Sequence, residues 1–233
     1  MRRISEGMPG GHDLRAIEVG ERLWAIVQSV PEADYSETAL TRGLQNLDWV
    51  GPRAIAHERV IEAFLSARAL LPMPLFTLFT SDDRAVQHVQ SDGTRIRRLL
   101  KRVEGKVEWG LRLTFDEKAA RGKVSSRPVM SGTEFLARKR DVLGINRTRL
   151  KDARGAADRV YKSISRLVTA AQRRTSLERV APGSRLLLDA AFLVPAGKSG
   201  AFRSAVRQQT RDLRALGTAV SLTGPWPPYN FIE

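Results

Sequence analysis

The sequence contains no cysteine among its 233 residues. That excludes disulfides, thiolate metal sites and cysteine nucleophiles, and it fits a reducing compartment. Long apolar runs are also missing. No stretch approaches the roughly eighteen apolar residues of a membrane helix. The opening "MRRISEGMPGG" has basic residues without the apolar run of a secretory leader, so a cytoplasmic location is expected. Only three histidines occur, His12, His57 and His88. None is spaced from another as metal-ligand pairs are, and no metal site or cofactor is expected. There is no Walker or dinucleotide glycine loop and no G-x-S-x-G elbow. "GKSG" at Gly197–Gly200 lacks the first P-loop glycine and reads as a strand-to-helix turn. His57, beside Glu58 in "AHERV", is the one conceivable general base, and a structural histidine explains it more simply. Asp82-Asp83 suits a helix N-terminus better than a magnesium site. The expectation is a protein without catalysis.

What is abundant is positive charge. Lys and Arg number 39 against 25 Asp and Glu, a formal net charge of +14. Such a balance favours acidic partners, whether nucleic acid, an anionic membrane or an acidic protein surface. A basic nucleic-acid-binding protein is the alternative functional class, carried by the charge alone. No aromatic platforms lie among the basic residues to support it.

The pattern of apolar residues predicts two α+β domains, each a small, mostly antiparallel sheet with helices packed on it. "LRAIEVGERLWAIVQSV" reads as a hairpin ended by Pro31, with Trp24 in the core. Ser36 caps a short helix carrying Leu40, Leu44 and Leu47. Gly51-Pro52 starts a second helix with Ile61, Phe64 and Leu65 buried, and Trp49 staples the two. "LFTLFTSDD" reads as a short buried strand, with Ser81 capping a helix that buries Val86, Val89, Gly93, Ile96, Leu100 and Val103. "VEWGLRLTF" alternates strictly and closes the first domain, residues 1–115. A polar linker is expected at 116–131. The second domain, 132–233, opens with a long helix from about Thr133. Its seam runs through Leu150, Ala153, Ala157, Val160, Ile164, Leu167 and Ala171. Strands follow near Ser176–Val180 and Arg185–Val194, then a helix with Phe202, Val206 and Leu213, and a last strand, "TAVSLTG".

The chain then runs into "LTGPWPPYNFIE", with three prolines that can neither continue a helix nor sit inside a sheet. Trp226, Pro227, Pro228, Tyr229 and Phe231 are the candidate partner-binding residues. Trp226 and Tyr229 are expected to pack on the second domain's sheet, close to a docking point.

These residues also carry a resemblance. "LTGPWPPYNFI" closely resembles the T-G-P-W-P-P-Y-x-F signature at the C-terminus of the GvpL/GvpF gas vesicle family. "LDWVGPRAIAHERVIEAFLSARALLPMPLFTLF", "VEWGLRLTF", "SGTEFLARKR" and "LLLDAAFLVP" resemble further family motifs in the family's order. The resemblance implies a two-domain α+β protein with ferredoxin-like elements. It implies a cytoplasmic, non-catalytic accessory of gas vesicle assembly that binds the hydrophobic shell protein GvpA and other accessory proteins. Two departures stand out. The family's aromatic opening strand, Y-x-Y-G-I/V, is replaced by "MRRISEGMPGG". In the L-P-x-R-F-G-T-x-F motif, Pro74 replaces the arginine and Phe76 the glycine.

Overall fold

The computed structural model describes residues 7–117, 132–175 and 181–232, with 132–143, 145 and 146 described as backbone alone. The chain divides into two compact units, Met1–Gly105 with Trp226–Glu233, and Lys106–Pro225.

The first unit opens with the expected hairpin, β1 (Arg15–Gly20) and β2 (Leu23–Val27). Its register pairs Ala16 with Ile26 and Glu18 with Trp24. Trp24 therefore shares a face with Glu18, while Ile17 and Val19 point to the other side. Val19 is buried and Trp24 is 57% exposed, so Trp24 is not the core residue the sequence suggested. Helices α1 (Glu32–Tyr35) and α2 (Glu37–Gly43) follow. The Ser36 hydroxyl accepts from the Ala39 N–H at the start of α2, as expected of a capping serine. Helix α3 spans Leu47–Ala63 and starts earlier than Gly51-Pro52. The reason is Asn46, whose side chain accepts from the Asp48 N–H at 2.9 Å and fixes the first turn. Pro52 is carried inside the helix, and Leu47, expected in a buried stripe, is 85% exposed at its first turn. Trp49 does hold α2 to α3. A methyl group at Gly43 would fall 2.5 Å from its ring.

"LFTLFTSDD" is not a strand. Residues 75 and 76 form a turn in which Phe76 has φ of 64°, and Leu78 and Phe79 are exposed. Pro72 and Pro74 withhold the donors a ladder needs, and a left-handed residue breaks the pleat. Ser81 caps α4 (Asp82–Ser91), and Asp82 and Asp83 occupy its first turn. A break at Asp92 separates it from α5 (Gly93–Val103), which buries Ile96, Leu99 and Val103.

The second unit contains β3 (Lys106–Asp116), α6 (Gly132–Ser165), β4 (Ala170–Arg173), β5 (Ser184–Pro195), α7 (Ser199–Thr210) and β6 (Thr218–Trp226, whose last residue belongs to the first unit). The strand order is β4-β5-β3-β6. A β-α-β-β-α-β chain in that order is a ferredoxin-like arrangement. The strand expected to close the first domain is thus an inner strand of the second sheet, and the division falls after Gly105 rather than Phe115. Of the expected linker, 118–131 lies outside the described residues, as does the expected strand Ser176–Val180.

One core fills the space between sheet and helices. Val107, Trp109, Leu111 and Leu113 of β3 and Leu188, Ala190, Phe192 and Val194 of β5 supply its floor. Ala156, Ala157, Val160 and Ile164 of α6 and Phe202 and Val206 of α7 cover it. Three alanine or valine positions on α6 let the helix approach the sheet closely, which is why its seam reads as small residues. The seam holds to Ile164. The helix ends at Ser165, so Leu167 is exposed and Ala171 belongs to β4.

The opposite face of the sheet carries a buried carboxylate. Asp189 lies across from Arg112 in the β3–β5 register. Arg112 donates to one Asp189 oxygen at 2.8 Å and Arg174 to the other at 2.5 Å. Burial by itself would raise the Asp189 pKa, but the two guanidiniums outweigh it and hold the group below its ordinary value. The stabilisation is therefore present above the unfolded carboxylate range, near pH 4, and is lost as pH falls through the depressed folded value. Asp189→Asn should cost about 2 kcal/mol at neutral pH, as loss of charged hydrogen bonds does. Urea unfolding at pH 7 and pH 3 checks this. The variant should fall below the wild type at pH 7 and show a shallower decline on acidification.

Candidate partner-binding surfaces

The C-terminal segment is placed by β6 and by one glycine. Gly224 has φ of 126°, and a Cβ there would lie 2.8 Å from the Glu108 carbonyl oxygen and 3.2 Å from the Trp109 ring. Only glycine fits such a φ with backbone so near. Beyond it, the Tyr229 N–H donates to Pro227 O at 2.8 Å and the Phe231 N–H to Pro228 O at 3.1 Å. The second of these has the three-residue spacing of the short 3-10 turn at Tyr229–Phe231. The Tyr229 hydroxyl donates to Glu58 Oε2 on α3 at 2.5 Å, and Phe231 is 1% exposed.

The five candidate residues therefore divide. Pro227, Pro228 and Phe231 are buried, Tyr229 is half-buried, and Trp226 presents surface at 36% exposure. The segment belongs to the first unit, so the expected packing of Tyr229 on the second domain's sheet is overturned. The phenol there meets a carboxylate on α3, far away in sequence. Bonds to charged acceptors are the stronger ones.

A second surface was not singled out from the sequence. The first unit carries an open groove of about 790 Å³. The hairpin contributes Ala16, Trp24 and Ile26 from one face, and the segment after α3 contributes Phe64, Ala67 and Leu70. Leu100 of α5 completes the apolar lining, and Arg22, Arg68, Lys101 and Glu104 also line the groove. Arg68 and Glu104 form an ion pair. The register held the clue: Trp24 lies opposite Glu18, a charged residue on what must then be an outward face.

The residues weighed for chemistry do not converge. His57 Nε2 lies 3.1 Å from the Met73 carbonyl oxygen, and the His88 ring packs 5.2 Å from Phe79. Asp82 pairs with Arg15 at 2.5 Å. Among the described residues, no three His, Asp or Glu side chains gather as metal ligands would. "GKSG" forms the turn into α7.

The comparisons with known proteins agree with one another. A family model described as "Gas vesicle synthesis protein GvpL/GvpF" matches residues 2–233. The chain belongs to the GvpL/GvpF family. It is 33% identical to "Gas vesicle protein L" of Streptomyces sp. (strain CB03234), over 95% of this chain and 84% of that relative. Its fold resembles the crystal structure of GvpF from Anabaena sp. PCC7120, with a TM-score of 0.67 at 15% identity, covering 98% of this chain and 88% of the other. GvpF from Microcystis aeruginosa gives a TM-score of 0.65 at 12% identity, covering 98% and 91%.

The GvpL/GvpF motif makes sense of Phe76. This residue takes the place of the motif's glycine and keeps a glycine's backbone, with φ of 64°. The strain, of order 1–2 kcal/mol, is offset by packing. Its ring centroid lies 5.4 Å from that of Trp49 and 6.5 Å from that of Tyr35.

Tyr229→Phe keeps the ring and deletes the bond to Glu58. A loss of about 1–2 kcal/mol is expected in urea unfolding at pH 7, as for a partly buried bond to a charged acceptor. An unchanged midpoint would mean that the tail is held by its apolar residues alone.

Proposed function

We propose that the protein is a cytoplasmic accessory of gas vesicle assembly, binding the hydrophobic shell subunit GvpA and other gas vesicle accessory proteins without catalysis. Membership of the GvpL/GvpF family along nearly the whole chain carries this reading. Two surface features support it: the apolar groove of the first unit and the outward ring of Trp226. A subunit built to line a hydrophobic shell exposes apolar surface until it is incorporated. Contacts that bury such surface transiently are what a protein of this kind can supply. Trp226 is the tail residue proposed to contact a partner. Pro227, Pro228 and Phe231, which follow it in the chain, are buried.

The net charge of +14 keeps a nucleic-acid reading in view. The two differ in their salt dependence. Titration of the purified protein with GvpA should give an affinity that changes little between 50 and 200 mM salt. Binding carried by phosphate contacts would fall by orders of magnitude over that range. Saturable, salt-tolerant binding to GvpA is the expected result, and binding to nucleic acid alone would reject the reading.

His57 gives a second check. His57→Ala removes a ring that contacts a backbone carbonyl and nothing reactive. Cells expressing a gas vesicle gene cluster with this variant should form vesicles at wild-type yield. Loss of vesicles with an unchanged melting temperature would reveal chemistry at His57.

A further inference from the structure

The groove of the first unit has a specific character. Its hairpin wall is the face of the two-stranded sheet, because Ala16 pairs with Ile26 and Trp24 lies on that same side. A sheet face offers side chains and no unpaired backbone groups. An extended peptide seated there would find no backbone ladder to join, and any of its N–H and C=O groups turned onto the apolar lining would go unpaired. An α-helix satisfies its backbone internally, so an apolar helix face suits this lining. The charges restrict the occupant further. Three cations and one carboxylate line the groove, and that carboxylate, Glu104, is engaged by Arg68. Arg22, in the hairpin turn, and Lys101, on α5, have no ion-pair partner among the described residues. Trp24, at 57% exposure beside them, is the kind of aromatic anchor that dominates binding energy at protein interfaces.

We propose that this groove docks an amphipathic helix of a gas vesicle partner. Aliphatic side chains of that helix pack against Trp24, Ile26 and Phe64, and its flanking carboxylates meet Arg22 and Lys101. The inference rests on the reading above that the protein binds vesicle proteins, and it names where and by what chemistry.

The test uses the full chain and two kinds of probe. The first is a pair of synthetic helices with leucines on one face, one flanked by glutamates and the other by lysines. The glutamate helix should bind at least about 10-fold more tightly than the lysine helix. Trp24→Ser should weaken both helices about 10-fold, and the double reversal Arg22→Glu with Lys101→Glu should remove the preference for the glutamate helix. Reversal of Lys198 and Arg211 to Glu, in the second unit, should preserve it. The second probe is purified GvpA together with each accessory protein from the same gene cluster. At least one should lose about 10-fold in affinity with the groove variants. Because the altered residues are exposed, melting temperatures should stay at the wild-type value. A variant that melts early is replaced by Trp24→Tyr or by Arg22→Gln with Lys101→Gln. Vesicle proteins that bind wild type and groove variants equally would overturn the groove while leaving the functional reading intact. If no vesicle protein binds the wild type, the functional reading fails. Equal binding of both helices, a preference that survives the double reversal, or undiminished binding to Trp24→Ser overturns the groove on its own account.

Discussion

The second unit depends on the antiparallel register of β3 with β5. The two strands pair from Lys106↔Pro195 to Asp116↔Ser184, with one irregularity between Leu113 and Thr114. Side chains alternate with period two, so a slip of one residue would turn Asp189 into the apolar core and bring Phe192 out. Neither is tolerable. Burial of a carboxylate at 2% side-chain exposure favours its neutral form, and Arg112 and Arg174 close on it and outweigh that burial. The ion cluster thus also penalises registers slipped by one residue. Once β3 and β5 are fixed, α6 and α7 have a single apolar floor to cover, and β6 takes its place beside β3.

Much of this was legible in the sequence, because alternation in "VEWGLRLTF" is strict, "LLLDAAFLVP" is an apolar run broken by Asp189, and the seam of α6 is regular. What could not be read was the choice of partner. β3 follows the helices of the first unit directly, and nothing local says that it pairs with a strand some eighty residues later. The boundary was misplaced for that reason. The hairpin was found but its inner face was not, since apolar residues occupy both faces and only the register tells Ile17 from Trp24. "LFTLFTSDD" has the composition of a strand, but Pro72 and Pro74 just before it and the left-handed Phe76 within it make a turn. At the candidate site, the aromatic tail announced itself. Its anchor, Glu58, did not, because an isolated glutamate in a helix carries no mark of a tyrosine 171 residues away.

The two apolar surfaces of the first unit differ in kind. The tail has spent most of its aromatic area internally: Phe231 and the prolines are buried, and Trp226 is what remains outside. The groove is the reverse, with its largest ring exposed and charged side chains in its lining. A protein that must let go of what it binds gains from such a mixture. Apolar contact supplies affinity in proportion to area, while a few exposed charges set orientation and encounter rate.

The composition of the first unit also sets a timetable. Its core includes Phe231, and its helix α3 is tied to Tyr229, yet the whole of 106–225 lies between these residues and the rest of the unit. On a ribosome adding about 5–20 residues per second, the hairpin and α1–α5 emerge first and wait. The ferredoxin-like unit is contiguous and has all its strands in hand before the missing piece arrives. The earlier-made half is therefore the later-finished one. A chain broken off before Tyr229 would present a folded second unit joined to an unfinished first.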